Sequence, residues 1–166
     1  MSRLSRAPAF WATGGWPALA LAPIAAVWGA VAAWNMRRAP TVHASVPVIA
    51  VGNFTAGGAG KTPTTAAVVA LARAAGFSPA VMTRGFGGAQ AGPLRVDPTR
   101  HTAADVGDEA LLHAASAPTI VARDRAAGLA LVDRLGVDLV VLDDGFQNPT
   151  LAKDLSLVVV DRGFGV

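Results

Sequence analysis

The chain has 166 residues, room for one ordinary domain, and a net charge of +3. It holds no cysteine, which excludes disulfides, thiolate metal sites and cysteine nucleophiles, and only three histidines, His43, His101 and His113, are available for imidazole chemistry. All eleven carboxylates lie from Asp97 onward, while eight of the fourteen bases precede it. Such asymmetry suits one face for phosphates or an acidic bilayer and another for metal or proton chemistry. The bases are scattered and do not alternate with aromatic residues, so no nucleic-acid partner is expected.

From Ala7 to Met36 the chain carries no charge, with Arg3 and Arg6 before the run and Arg37 and Arg38 after it. All four tryptophans, Trp11, Trp16, Trp28 and Trp34, fall inside, as at membrane interfaces. Pro17 and Pro23 are expected to interrupt the run. The clean part, Ile24 to Met36, would then reach roughly 20 Å against ~30 Å of hydrocarbon. Residues 1–45 therefore read as a membrane-associated segment, an interfacial anchor first. A kinked span from Trp16 to Met36, a signal peptide and a plain core helix are the alternatives.

"SVPVIAVGN" (45–53) reads as a buried strand ended by glycine, and "KTPTTAAVVALARAAG" (61–76) as a helix closed by Gly76. "FSPAVMTRG" (77–85) is a second strand, followed by a looser stretch. "VGDEALLHAASA" (106–117) is a short helix, "PTIVAR" (118–123) a strand, and "DRAAGLALVDRLG" (124–136) a helix. "VDLVVLDDG" (137–145) and "DLSLVVVDR" (154–162) complete the strands. Wholly apolar strands alternating with helices predict a mostly parallel sheet covered on both faces, an α/β domain over 46–166. Ligands of such sheets bind at the carboxyl ends of the strands, where Gly57 to Thr62, Arg84 to Gly88 and Asp143 to Gln147 all fall.

Between the first strand and its helix stands "VGNFTAGGAGKTP". Strand, glycine-rich turn, Gly60-Lys61-Thr62 and helix is the layout of a phosphate-binding loop, so the fold class is α/β, P-loop NTPase-like. Gly57, Gly58, Ala59 and Gly60 let backbone N–H groups turn around an anion, and the helix adds its free N–H groups and dipole. Lys61 is placed to reach the β and γ phosphates of a nucleotide, and the Thr62 hydroxyl to ligate Mg²⁺. Thr55 stands where the general pattern has glycine.

"VVLDDGFQN" (140–148) ends a buried strand in Asp143 and Asp144, the usual way to hold Mg²⁺ in a phosphate-loop protein. Asp-Gly is also an ordinary turn signal. Asp108 and Glu109 open a helix, where capping is the plain explanation, yet a kinase needs a carboxylate to take the acceptor proton. Glu109 is the one glutamate in the sequence. Arg84, in "TRGFGG", reads either as the charge of a second anion-binding turn or as part of a loop. Arg123 and Arg125 read as phosphate clamps or as solvated helix-start charges.

"VGNFTAGGAGKTP", "TRGFGG", "VGDEALL", "VARDR" and "LDDGFQN", in that order, resemble the tetraacyldisaccharide 4'-kinases, the lipid A 4'-kinases. That family has threonine or serine where the first loop glycine usually stands, as Thr55 does here. The resemblance implies ATP-dependent phosphorylation, with Mg²⁺, of the 4'-hydroxyl of a tetraacylated glucosamine disaccharide 1-phosphate lipid. It also implies a place at the cytoplasmic face of the bacterial inner membrane. By matching motif, Lys61 and Thr62 would bind phosphates and Mg²⁺, Asp143 and Asp144 would serve the metal, and Asp108 would match the proposed catalytic base. Arg84 and Arg123 are further carry-overs. Thr83, Phe86 and Asn148 depart from the family's serine, tyrosine and histidine. The family is about twice as long, with a second half that supplies a histidine for the catalytic aspartate, so the chain is expected to be an N-terminal portion. The rival expectation is a membrane-associated nucleotide switch or binding module that phosphorylates no sugar. Neither the oligomeric state nor ATP over GTP follows from a motif.

Overall fold

The structure, a computed structural model, describes residues 15–37, 40–53, 60–146 and 148–160. The chain divides into two units, Met1–Arg38 and Ala39–Val166. In the first, helix α1 spans Trp16–Met36. Pro17 sits in its first turn, where a missing N–H costs nothing, and the helix runs on through Pro23. The expected interruption does not occur. At ~1.5 Å per residue α1 is roughly 30 Å long, and no charged residue lies on any side of it.

The second unit begins earlier than residue 46. The amides of Thr41 and Val42 each donate to the Thr150 carbonyl at 3.0 Å, and Ser45 Oγ donates to Asp133 at 2.6 Å. The elements that follow are β1 Val48–Gly52, α2 Lys61–Ala74, β2 Pro79–Thr83, β3 Leu94–Arg95, α3 Ala103–Val106 and α4 Asp108–Ala114. After these come β4 Thr119–Val121, α5 Arg125–Leu135, β5 Leu139–Asp143 and β6 Leu155–Val158. They form a sheet in the order β3-β4-β2-β5-β1-β6, parallel except for β3 against β4.

The period-2 alternation of each strand sorts the core into two layers. Val48, Ala50, Met82, Ile120, Val140 and Leu142 point to one face and pack on Leu129 and Val132 of α5. Val51, Val81, Leu139 and Val141 point to the other and meet Val69 and Ala72 of α2. Beside them on that second face, Val121 packs on Val106 and Ala110, which places α4 next to α2. Burying each valine, leucine, isoleucine or methionine among them is worth about 1.5–3 kcal/mol. Asp143 follows the same alternation, so it lies on the face covered by α2 and α4.

Two short elements depart from the sequence expectation. Within the stretch read as loose, β3 pairs Leu94 with Val121 and Arg95 with Ile120, closing one edge of the sheet. The helix expected over 106–117 is preceded by the single turn α3, held by a capping box between Thr102 and Asp105. Gly107 separates the two, with φ 88° and ψ 149°, a region that glycine alone occupies easily. A Cβ there would meet the Phe86 carbonyl oxygen, and one on Gly88 would lie 2.7 Å from that of Asp105. The glycine-rich turn at 83–88 is thus packed on the α3–α4 junction, and packing accounts for Gly85 and Gly88, whereas Gly87 is open and takes a left-handed φ of 81°. Gly107→Ala is expected to cost about 3 kcal/mol or more. A urea titration would show this as a lower midpoint with an unchanged slope.

Candidate functional site

The neighbouring strands β1 and β5 run parallel in register, Val51 beside Asp143, so the residues just past their carboxyl ends meet. Asn53 follows β1, Asp144 follows β5, and Gly60-Lys61 opens α2. Gly60 caps α2 with a left-handed φ of 82°, and its carbonyl receives the Thr64 amide at 3.1 Å and the Thr64 hydroxyl at 2.8 Å. Lys61 is therefore the first helical residue. Its ammonium donates to Asn53 Oδ1 at 3.1 Å and pairs with Asp144 Oδ1 at 3.2 Å. Asp144 is 59% exposed and has φ 56°, a left-handed conformation that aspartate tolerates better than most residues. Thr55, Gly57, Gly58 and Ala59 lie outside the described residues.

At the next position, the Thr62 hydroxyl donates to Glu109 Oε1 at 3.2 Å. Burial, and then the negative charge of Asp143, hold the Glu109 carboxyl above the usual glutamate range; the Thr62 hydrogen bond pulls the other way. Asp108, one residue earlier, is exposed and accepts the Glu109 amide at 3.0 Å. The pair thus splits, with Glu109 turned to the phosphate-loop helix and Asp108 open to solvent.

Asp143 and Asp144 split as well. Asp143 is 2% exposed, and both its oxygens are engaged: Oδ1 receives the Thr65 hydroxyl at 3.2 Å and Oδ2 lies 2.9 Å from His113 Nε2. Its backbone carbonyl accepts from Arg125 at 3.3 Å. Arg125 is itself 2% exposed, gives a second bond to the Ala122 carbonyl, and leaves Nε without a partner. Burial, reinforced by the charge of Arg84, brings its guanidinium down to about 10. Arg123 is exposed and donates to the Gly88 carbonyl at 3.1 Å, on the glycine turn rather than beside Lys61.

Of the residues singled out in the sequence, Lys61 pairs with Asp144, while Thr62 meets Glu109 and Asp143 meets Thr65. Asn53, Thr65, Glu109, His113 and Arg125 join them. Two spacings announce part of this set. Thr62 and Thr65 are three apart on α2, Glu109 and His113 four apart on α4, and each pair shares one helix face. The arrangement offers an ammonium, a hydroxyl and acidic oxygens around the N-terminus of a helix, whose first N–H groups have no intrahelical acceptor. That chemistry suits a polyphosphate with a hard cation.

The raised Glu109 group has a measurable consequence. Its folded value exceeds the ordinary 4.5, so the folded state keeps the proton more tightly and stability falls as pH rises through the folded value. Glu109→Gln removes that loss. Its melting temperature without nucleotide is expected to exceed wild type at pH 7 and to converge with it below pH ~4.5, checked by thermal melts across pH.

The family model for tetraacyldisaccharide-1-P 4'-kinase matches residues 17–166. A curated tetraacyldisaccharide 4'-kinase of Methylobacterium radiotolerans is 58% identical over 163 residues, covering 97% of this chain and 50% of the relative. One from Dinoroseobacter shibae is 54% identical, covering 96% and 49%. Among solved structures, the chain is similar to the "apo" form of LpxK from Aquifex aeolicus in complex with ATP. The TM-score is 0.71 at 27% identity, over 84% of this chain and 47% of that one. The chain spans about half the length of the curated relatives it matches.

Proposed function

The chain belongs to the tetraacyldisaccharide-1-P 4'-kinase family, and from that membership we propose that it forms the ATP-binding half of a lipid kinase. The reaction is transfer of the γ-phosphoryl group of ATP to the 4'-hydroxyl of a tetraacylated glucosamine disaccharide 1-phosphate. The observation that carries the reading is the ammonium of Lys61, held at the mouth of two parallel strands by Asn53 and Asp144. Phosphate oxygens entering there would compete with those two side chains for the same ammonium.

Phosphoryl transfer asks the protein mainly for positioning and charge neutralisation. Lys61 and the N-terminal N–H groups of α2 neutralise the β and γ phosphates, and Thr55, Gly57, Gly58 and Ala59 are read as further phosphate-binding residues. The Thr62 hydroxyl with one or two of the carboxylates of Glu109, Asp143 and Asp144 would hold Mg²⁺, either directly or through water. Hard oxygen donors fit that ion. Among the described residues no group of three or more His, Cys, Asp or Glu could hold a metal by itself, so the ion would need the nucleotide's phosphates beside one or two of these carboxylates. When bound, the ion would offset charge on the transferring group. Asp108, exposed at the start of α4, is read as the acceptor of the sugar hydroxyl's proton. Arg123 and Arg84, exposed past the ends of β4 and β2, are read as contacts for phosphate or headgroup.

Helix α1 would anchor this site to the inner membrane at its cytoplasmic face, where the ATP is and where an acylated acceptor presents its sugar. Its length of roughly 30 Å and its lack of any charged face favour a spanning helix over one lying in the interface.

The test replaces the matching half of the Methylobacterium radiotolerans kinase with this chain and supplies labelled ATP and the disaccharide lipid. Label on the lipid is expected. A folded chimera that binds ATP but releases label only as free phosphate would overturn the kinase reading in favour of a nucleotide switch.

A further inference from the structure

Helix α4 has seven residues, and of these only Ala110 and His113 are buried. Ala110, with the half-buried Leu111 and Ala114, packs on Val106 and Val121, and the polar contacts of the helix close a ring. Glu109 accepts from Thr62, His113 meets Asp143 at 2.9 Å, and Asp143 accepts from Thr65 at 3.2 Å. Thr62 and Thr65 share one face of α2, and Glu109 and His113 share one face of α4. The ring thus joins the phosphate-loop helix, the helix carrying Asp108 and Glu109, and the strand that ends in the aspartate pair. His113 is the one ring member that serves α4 and β5 alone. It is 1% exposed, and an imidazole is costly to bury unless its N–H has an acceptor.

We propose that His113 is a positioning residue, holding α4 against β5 so that Glu109 and Asp143 keep their places around the Thr62 hydroxyl, where a nucleotide-bound divalent cation would sit. This rests on the magnesium-nucleotide site proposed above. His113 touches no reactant. Its Nε2–H donates to Asp143, and that bond fixes both the rotamer of the carboxylate and the height of α4 above the sheet. Groups that orient the groups around a metal typically govern its affinity more than the affinity of metal-free ligand.

The experiment measures nucleotide binding by this chain with and without divalent metal, using Mn²⁺ as the spectroscopic probe. In His113→Leu, Mn²⁺ affinity of the nucleotide complex is expected to fall at least about tenfold, with metal-free nucleotide affinity kept within about threefold. His113→Gln, whose amide reaches about as far as Nε2, is expected to recover most of the loss. Thr65→Val, which removes the other donor to Asp143, should weaken Mn²⁺ in the same direction, and it decides the matter if His113→Leu does not fold. A lower melting temperature with unchanged Mn²⁺ affinity in the folded variants would overturn the proposal and leave His113 a stability residue. Wild-type protein that binds no metal–nucleotide complex would instead overturn the site itself, so the two failures are distinguishable.

Discussion

Lys61→Ala is expected to weaken binding of magnesium-ATP by at least about 30-fold, because truncating one partner of a charge pair typically costs about 2–5 kcal/mol. Stability should barely change. The lysine sits at the surface end of the sheet, its partner Asp144 is 59% exposed, and such pairs contribute about 0–1 kcal/mol. The combination is diagnostic: titration calorimetry should lose its signal while the thermal melt stays within a few degrees of wild type. A residue that mattered only for folding would produce the reverse.

Asp108→Asn is expected to lower kcat for lipid phosphorylation about 10²–10⁴-fold in the chimeric kinase, with little change in ATP affinity. The distinction from Glu109 comes from their surroundings. Asp108 is exposed at the start of α4 and among the described residues bonds only the amide of Glu109, so a sugar hydroxyl could approach it. Glu109 is bonded to Thr62 on the phosphate-loop helix, so Glu109→Gln should weaken metal and nucleotide as well as turnover. Nucleotide affinities and turnover measured together separate the two roles. An Asp108→Asn kinase with wild-type kcat would remove the base assignment.

Much of this was legible in the residues because local physics dictates it. Apolar runs such as Leu139–Leu142 have no use outside a buried strand, and Gly60-Lys61-Thr62 between strand and helix has few purposes besides an anion. Asp124 and Gly136 bound α5 as cap and stop, as their types suggest. What escaped depends on contacts across the fold. Strand β3 is two residues long and exists because β4 offers it an edge. The turn α3 carried its Thr102–Asp105 box in plain view but fell inside a stretch without periodicity. Pro23 misled because a break is its usual effect, yet α1 continues through it. Adjacent carboxylates on an extended chain point in different directions, but the sequence does not say which of Asp143 and Asp144 faces inward. Alternation along β5 turns the first into the protein, against Thr65 and His113, and leaves the second at the mouth beside Lys61. His113, thirty residues from its carboxylate partner, gave no local sign of its role.

The most direct measurement is a crystal structure of this chain grown with magnesium and a non-hydrolysable ATP analogue. The β and γ phosphates should lie at the N-terminus of α2, within hydrogen-bonding distance of the Lys61 ammonium, with the cation beside the Thr62 hydroxyl. An analogue bound elsewhere, with Lys61 still paired to Asp144 and Asn53, would contradict the phosphate-loop site on which the kinase reading stands.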